Sequence, residues 1–371
     1  MTSSSRGKSR ILHIHSRFPG GLAADRSVAV VRGLGGDFVH DLVTIAGDDD
    51  PSPSPFRKLA SFPQVTGLAT LGRLQKLAKA TLGYDLVCTY DYGALNAVMA
   101  HTAFGTAFTL PPLIHHESED AVRTGRADWY RRIALGRTAG LVVPDERIEE
   151  AALDAWQQPI GRVKDIALGI DLVPWRKPAP VDLLPRLLKR PGEKWIGTVT
   201  DFSNGPLLDN LLAAFASLTD NWHLVAFGDV SNSRAFRDKA QQSGIAHRVH
   251  VPGPLAPDGR AIGLLDFAVF PDASGTAPVD AIRAMASGLP ILAGLDSYAA
   301  PLLPEPSREF AIRFSDREEV GFALGTLAGD HALSEASGEA NRVQARDRHD
   351  LKAMIAAHRR LYTSAIGLRQ R

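Results

Sequence analysis

Short apolar runs alternate with helix-like stretches along this chain, and the whole alternation occurs twice. A run of buried strands separated by amphipathic helices is typical of a parallel sheet with helices on both faces, joined by right-handed crossovers. The strand candidates of the first half are residues 10–15, 38–45, 86–90, 112–116 and 140–143. This pattern predicts a doubly wound α/β domain.

The alternation begins again at residue 194, after a proline-rich segment. Residues 171–193 hold five prolines, which remove backbone donors and fix φ, so the segment is expected to lie outside either sheet. The second set of strand candidates is 194–200, 222–227, 248–252, 264–270 and 290–293, with helices expected over 207–215 and 279–287. We therefore predict a first domain over 1–170, a linker over 171–194 and a second domain over 195–345.

The position of a ligand follows from this architecture. In an open α/β sheet a ligand binds beyond the carboxyl ends of the strands, near the point where the strand order reverses. Two such sheets facing each other would form a cleft between the domains. We expect the functional residues in the turns that directly follow strands.

Composition narrows the class of protein. Lys and Arg total 42 against 41 Asp and Glu, so no excess of positive charge indicates a nucleic-acid partner. The single cysteine, Cys88, excludes an internal disulfide and lies in an apolar run, where a buried small hydrophobe is expected. The sequence has neither a secretory leader pattern nor an apolar stretch of about 18 residues, which predicts a cytoplasmic protein.

Two motifs of the first half lie at the ends of strand candidates. The first is His-Ser-Arg-Phe-Pro-Gly-Gly over 15–21, followed by Asp25 and Arg26, and the second is Pro-Pro-Leu-Ile-His-His-Glu over 111–117. Both resemble motifs of bacterial family-4 glycosyltransferases that serve surface-polysaccharide synthesis. The first is similar to the family's glycine-rich turn, where Gly20 and Gly21 would let backbone N–H groups approach a phosphate, although a plain turn explains Gly-Gly equally well.

The second motif supplies a candidate catalytic residue. The family has a histidine after this strand that lines the sugar site, and His116 matches that position, next to His115. Since successive strand side chains point to opposite faces, only one of the two can face the ligand. The structural alternative is a histidine held by hydrogen bonds. Residues 167–171 resemble the family's Asn-Gly-Ile-Asp turn, with Leu168 in place of asparagine.

The resemblance continues through the second half, where the family's motifs recur in order between 195 and 293, and it extends to a last helix over 346–371. It implies a GT-B fold, in which two Rossmann-like domains face each other across a cleft and the last helix crosses back to the first domain. It also implies a hexosyltransferase-type enzyme that transfers a sugar, with retention, from a nucleotide-sugar donor to a saccharide or lipid-linked acceptor. No metal or other cofactor is implied.

The donor-binding residues depart from the family. The Arg and Lys that grip the donor diphosphate are matched here by Asp201 and Pro206, leaving Ser203 as a neutral polar group in that turn. The family's Glu-x7-Glu pair is matched by Gly275 and Arg283. Each lost charge-assisted hydrogen bond is worth roughly 1.5–3 kcal/mol, so donor affinity is expected to suffer.

Backbone geometry could still hold a phosphate in this second domain. The turn that contains Ser274, Gly275 and Thr276 leads into a helix, whose N-terminal N–H groups bind anions. Arg283 either pairs with Asp280 on one helix face or turns inward as a replacement cation. In an active enzyme, a cation for the phosphate would otherwise come from Arg17 or Arg26.

A basic and aromatic segment is the remaining feature. Trp129 and Tyr130 lie among five arginines, which are Arg123, Arg126, Arg131, Arg132 and Arg137. Either this is a solvated helix face, or it contacts an anionic membrane surface or a lipid-linked acceptor.

Two functions of different class are therefore open. One is the glycosyltransferase. The other is a non-catalytic GT-B protein, stripped of its donor residues, that binds or regulates an active glycosyltransferase. No Walker-type phosphate loop, metal-spaced His and Cys cluster or Gly-x-Ser-x-Gly turn competes with these two.

Overall fold

The computed structural model describes residues 8–18, 22–46, 54–118, 121, 125–273 and 278–369. The chain forms two compact units, and the C-terminal residues belong to the first. Unit 1 comprises Met1–Gly169 with Lys352–Arg371, and unit 2 comprises Ile170–Leu351. The proline-rich segment that follows residue 170 is thus part of unit 2.

Unit 1 contains a seven-stranded parallel sheet with the strand order β3-β2-β1-β4-β5-β6-β7. Its strands are β1 Ser9–Arg17, β2 Phe38–Ala46, β3 Arg57–Lys58, β4 Leu86–Tyr90, β5 Leu113–His116, β6 Gly140–Val143 and β7 Val163–Asp165. Its first helices are α1 Leu22–Leu34, α2 Leu71–Ala80, α3 Leu95–Phe104, α4 Gly125–Ala134 and α5 Glu146–Asp154. The chain moves outward from β1 to β3 and then returns to the other side of β1, so the switch point lies between β1 and β4.

Unit 2 contains a six-stranded parallel sheet with the order β10-β9-β8-β11-β12-β13. Its strands are β8 Lys194–Val199, β9 Trp222–Phe227, β10 Val249–Gly253, β11 Phe267–Phe270, β12 Ile291–Gly294 and β13 Ala311–Ile312. Its helices are α6 Gly205–Ala216, α7 Arg234–Gln242, α8 Pro278–Ala286, α9 Arg317–Gly329 and α10 His331–Arg348. Here the switch point lies between β8 and β11.

The predicted pair of parallel α/β sheets is confirmed, because continuous apolar runs become central strands. All five residues of β4 are buried, and Cys88 in its middle is fully inaccessible, as a small core hydrophobe should be. The strand expected over 264–270 is shorter: Arg260–Leu264 is a 3-10 helix that follows Gly259 at φ +66, and β11 begins only at Phe267. The edge strands β3, β7 and β13 are too short to carry a pattern.

Local sequence also defines helix starts next to strand ends. Asp145, two residues after β6, accepts a hydrogen bond from the N–H of Ile148 and caps α5. Pro206 lies in the first turn of α6, where the missing N–H costs nothing. The last helix, α11 Leu351–Arg369, contacts unit 1 through an ion pair between Arg359 and Asp37. None of the helices in the described ranges is both long and apolar enough to span a bilayer.

Candidate functional site

In unit 1 three aromatic side chains meet at the carboxyl ends of the strands beside the switch point. His15 near the end of β1 pairs in register with Tyr90 of β4, which in turn pairs with His116 of β5. The His15 and Tyr90 rings stack with centroids 3.9 Å apart, and the Tyr90 and His116 rings with centroids 4.5 Å apart. The fold thus brings His116 to the edge of the sheet where a ligand is expected.

Both ring nitrogens of His116 already have partners. Its Nδ1 lies 3.3 Å from the carbonyl oxygen of Thr89, and its Nε2 lies 3.2 Å from the hydroxyl of Tyr362 on α11. Burial, followed by the charges of His358 and His115, lowers the pKa of His116 well below its ordinary value, so the ring is neutral. In this geometry His116 is held by the protein on both sides, and it can bond a substrate only if the Tyr362 hydroxyl moves.

Two sets of hydrogen bonds hold the histidines beside this site. His116 Nδ1 faces a carbonyl oxygen and must donate, so its Nε2 accepts from the Tyr362 hydroxyl. His40 Nδ1 is 2.9 Å from His13 Nε2, and His13 Nδ1 is 2.9 Å from the Tyr90 hydroxyl. Burial lowers the pKa of His13 well below its ordinary value, so its neutral ring donates through one nitrogen and accepts through the other.

His15 is the opposite case, and the sequence reasoning did not single it out. Both of its ring nitrogens are buried and have no hydrogen-bond partner among the described residues. Burial lowers its pKa to about 3, so the ring is neutral. An unsatisfied buried polar group costs about 1–3 kcal/mol, and a ligand or a water molecule that bonds it removes that cost. The signal available in the sequence was a histidine at the end of the first strand, directly before the glycine-rich turn.

The positively charged residues of this region have different environments. Arg26 on α1 is only 2% exposed, and its charge contributes, after burial and the charges of His358 and His115, to the lowered pKa of His116. Arg17 is exposed. Gly20 and Gly21 lie outside the described residues.

A buried ion pair lies directly beyond β5. Glu117 accepts hydrogen bonds from Arg131 Nε at 2.6 Å and a second guanidinium nitrogen at 3.2 Å, and His115 Nε2 lies 3.3 Å from it. The Arg131 guanidinium also lies over the rings of Tyr92 and Trp156. His115 and Arg131 are therefore structural, and the interpretation of Arg131 as part of a basic surface is wrong: Glu117 draws it inward.

The rest of α4 does present an exposed face. Trp129 is 62% exposed, and Arg126, Arg132 and Arg137 are exposed as well. Tyr130 turns the other way and donates to the side-chain oxygen of Asn96. Arg123 lies outside the described residues.

In unit 2 a pocket of about 400 Å³ opens at the carboxyl ends of β8 and β9, next to the switch point. We call it the switch-point pocket. It is lined by Val199, Thr200, Asp201, Phe227, Gly228, Asp229, Asn232, Pro254, Leu255, Ala256, Pro257, Val279, Asp280 and Arg283. Residue 228 must be glycine, because a Cβ there would contact the carbonyl oxygen of Thr200.

The charges of this pocket are mostly negative. Arg283 is the one cation among the described lining residues, and it donates to Asp280 at 3.0 Å and to the carbonyl oxygen of Pro257 at 2.6 Å. Arg283 is thus committed to a pair on its own helix. Asp201 and Asp229, which follow the ends of β8 and β9, add two further carboxylates to the lining.

Hydrogen bonds keep these two carboxylates ionised. Ser203 donates to Asp201 and holds the pKa of that carboxyl below its ordinary value. Ser231 does the same for Asp229. Ser203 is therefore occupied with its neighbour, while Ser274, Gly275 and Thr276 lie outside the described residues. Within the described ranges no three His, Cys, Asp or Glu side chains are grouped so as to hold a metal ion.

Comparison with protein families gives a match in unit 2. Residues 193–327 match the model of the family described as "Glycosyl transferases group 1". No curated protein matches the chain.

Solved structures match nearly the whole chain in fold. HepE from Anabaena in complex with UDP is similar with a TM-score of 0.74 and 16% identity, over 96% of this chain and 100% of that one. Sucrose-phosphate synthase from Thermosynechococcus elongatus is similar with a TM-score of 0.68 and 18% identity, over 97% and 100%. WaaG, a glycosyltransferase involved in lipopolysaccharide biosynthesis, is similar with a TM-score of 0.58 and 17% identity, over 94% and 98%. The fold is GT-B, and together with the matched domain it supports a glycosyltransferase.

Proposed function

We propose that this chain transfers a sugar, with retention, from a nucleotide-sugar donor to a saccharide or lipid-linked acceptor in cell-surface polysaccharide synthesis. The observation that carries the proposal is the switch-point pocket, which opens in the domain that matches the glycosyl transferases group 1 model, at the strand ends where open α/β sheets bind ligands. HepE has been solved with UDP and with UDP-glucose, so a UDP-sugar is the first donor to test.

The charges of the pocket suit one end of such a donor. The ribose hydroxyls and the imide N–H of a nucleoside are donors, and Asp201, Asp229 and Asp280 offer acceptors. The diphosphate needs donors instead. We assign it to the backbone N–H groups of the turn over residues 274–277, which lies outside the described residues and precedes α8, because helix N-termini bind phosphate. In unit 1 the candidates for contact with the sugar or acceptor are His116 and His15, whose ring nitrogens have no hydrogen-bond partner among the described residues.

A substitution that fills the switch-point pocket tests whether the donor binds there. Ala256 is exposed and lines the pocket, so Ala256→Trp should occupy the space without disturbing the core. Calorimetric titration with UDP-glucose should show at least an about tenfold loss of affinity. The matched control is Ala235→Trp on the exposed face of α7, which should bind like the unmutated protein. Equal affinity in all three proteins would contradict donor binding in this pocket.

The chemical step is tested separately. Incubation with UDP-glucose and a panel of lipid-linked and free saccharides, followed by NMR of the product, reads the anomeric configuration directly. A product with the donor's configuration supports retention, and an inverted product contradicts it.

A second function is favoured by the pocket's charge. Asp201 and Pro206 stand where the family has cations, and Arg283 is already paired with Asp280. A non-catalytic binding or regulatory partner of an active glycosyltransferase would have no need to grip a diphosphate. The affinity ratio of UDP to uridine separates the two functions. UDP bound at least about tenfold more tightly supports the enzyme, whereas equal affinity, or no binding at millimolar concentration, supports the non-catalytic protein.

We further propose that the exposed face of α4 contacts the anionic inner surface of the membrane from the cytoplasmic side. Trp129 would insert at the headgroup level while Arg126 and Arg132 meet the lipid charges, each contributing about 1 kcal/mol. Co-sedimentation with anionic vesicles should fall in the Arg126→Gln/Arg132→Gln variant and at high salt. Equal recovery of the protein with neutral and anionic vesicles would contradict the proposal.

A further inference from the structure

A second cavity lies in unit 2 at the opposite edge of the sheet from the switch-point pocket. Leu265 and Leu289, which precede β11 and β12, line it together with Ser287, which follows α8. It has a volume of about 540 Å³. We call it the amino-edge cavity, and its full lining is Leu172, Trp175, Arg176, Lys177, Pro178, Gly263, Leu265, Ala286, Ser287, Leu289, Glu339, Arg342, Val343, Ala345 and Arg346.

The wall of this cavity contains apolar side chains. Trp175 is 9% exposed and belongs to the hydrophobic core of unit 2, along with Leu265 and Leu289. Leu172 packs against the same core, and Val343 of α10 contributes a further apolar side chain to the lining. A flat ring or an aliphatic chain would find van der Waals partners here.

The same cavity gathers positive charge. Four of its lining side chains are cations, and Glu339, which pairs with Arg342 at 2.8 Å, is the one lining carboxylate. The cations are Arg176, Lys177, Arg342 and Arg346. Arg346 pairs with its neighbour Asp347 at 2.9 Å.

Two of the four cations have no partner of their own. The side chains of Arg176 and Lys177 are exposed and make no ion pair or hydrogen bond with any residue that the structure describes. Like charges brought around one cavity repel each other, and an anion in the cavity would remove that cost.

The two free cations are held there by buried anchors on both sides. The 3-10 turn Val173–Arg176 is fixed by Trp175, because the Arg260 guanidinium lies 5.3 Å from the Trp175 ring centroid and donates to the carbonyl oxygen of Pro174. On the other side Ala179 is buried against Gly263, where an added Cβ would come within 3.2 Å of the Ala179 methyl. The backbone that carries Arg176 and Lys177 is therefore anchored beside the cavity.

We propose that the amino-edge cavity binds a small amphiphilic anion, an aromatic or aliphatic body that carries a phosphate. The body packs on Trp175 and the leucines, and the phosphate accepts hydrogen bonds from Arg176 and Lys177. A soluble organic phosphate and the headgroup of a lipid phosphate share this chemistry. The site is separate from the switch-point pocket and does not depend on the proposed transferase activity.

The test uses 1-naphthyl phosphate as the amphiphilic probe and inorganic phosphate as its polar counterpart, both by calorimetry on the whole chain. We expect naphthyl phosphate to bind at least about tenfold more tightly than inorganic phosphate. Arg176→Gln/Lys177→Gln should weaken naphthyl phosphate by about tenfold or more, because two charge-assisted bonds are lost. The matched control, Arg237→Gln/Arg317→Gln, removes two exposed cations elsewhere in unit 2 and should change the affinity less than about twofold.

Three outcomes would overturn the proposal. They are equal affinities of the cavity variant and the control variant, equal affinities of the two probes, and no binding at millimolar concentration. Loss of naphthyl phosphate binding in Ala256→Trp would place the probe in the switch-point pocket and also refute it. Co-sedimentation with vesicles that do or do not contain phosphatidic acid distinguishes the two sources of the phosphate. If Arg176→Gln/Lys177→Gln lowers the fraction of protein that sediments with phosphatidic acid vesicles, the ligand of the cavity is a lipid. If that fraction is unchanged while naphthyl phosphate binding is weakened, the ligand is a soluble phosphate.

Discussion

Replacing Glu117 with glutamine should strongly destabilise unit 1. Glu117 and Arg131 have fully buried side chains, and two hydrogen bonds join them, at 2.6 and 3.2 Å. Glutamine keeps the volume and one acceptor oxygen but leaves the guanidinium charge buried without its counter-ion. Removing one partner of a buried pair costs about 3–5 kcal/mol, and because the retained oxygen can keep the shorter bond, we expect a value near the lower limit, about 3 kcal/mol.

Urea unfolding measures this loss. Trp156 is a local reporter, because the Arg131 guanidinium lies 4.8 Å from its ring centroid. Glu150→Gln on the exposed face of α5 is the matched control and should stay within about 0.5 kcal/mol of the unmutated protein. Adding Arg131→Met to Glu117→Gln should restore much of the stability, since no charge then remains buried.

The effect should also depend on pH in a defined direction. Burial works to raise the pKa of Glu117, but hydrogen bonds and charge from His115 and Arg131 outweigh it and leave the pKa below the ordinary 4.5. A lowered folded-state pKa contributes stability that is present above the unfolded pKa and is lost as the pH falls through the folded one. The gap between the unmutated protein and Glu117→Gln should therefore be full at neutral pH and shrink in acid. A gap of under about 1 kcal/mol at pH 7, or one that widens in acid, would refute the reasoning.

Three other substitutions probe the candidate sites. His15→Phe removes a buried imidazole that has no hydrogen-bond partner among the described residues, so urea unfolding should find the free energy of unfolding unchanged or raised by about 1–3 kcal/mol while transferase activity falls. A loss of stability would contradict this reasoning. Tyr362→Phe removes the hydroxyl bonded to His116 and should lower the free energy of unfolding by about 1 kcal/mol in the same assay. An unchanged free energy of unfolding would show that this bond does not form. Arg283→Ala removes the described cation from the lining of the switch-point pocket and should raise the donor KM roughly tenfold, and an unchanged KM would remove Arg283 from the site.

How far the sequence predicts the structure differs between the fold and the site. Apolar runs predict the central strands because a parallel strand is buried on both faces and needs no tertiary information to be recognised. Arg131 is an exception, because a dense group of basic residues indicates a surface, whereas Ala127, Arg131 and Ala134 share the buried face of α4 at helical spacing. That period predicts an inward arginine, and the carboxylate that accepts it, Glu117, lies 14 residues earlier in the chain.

The histidines set the limit of such reasoning. Alternation along β5 predicts that His115 and His116 point to opposite faces, and in the structure their partners differ: Glu117 for His115 and Tyr362 for His116. It cannot tell that Tyr362, which arrives from the last helix 246 residues later, occupies the His116 nitrogen that a substrate would need. It equally cannot tell that nothing in the described structure satisfies His15. Both facts depend on contacts between elements far apart in sequence.

The same distinction explains the charge of the switch-point pocket. The spacing of Asp280 and Arg283 left two arrangements open, and the ion pair at 3.0 Å means that Arg283 brings no net positive charge to the pocket. With Asp201 and Asp229 ionised as well, the described lining carries an excess of two negative charges, which repels a diphosphate and attracts hydroxyl and N–H donors. A donor bound here must therefore gain its affinity from its nucleoside end and place its phosphates against backbone N–H groups, whose dipoles do not depend on side-chain identity. On the proposed function, Asp201 and Pro206 in place of cations would weaken the grip on the phosphates and leave the acceptors for the nucleoside in place.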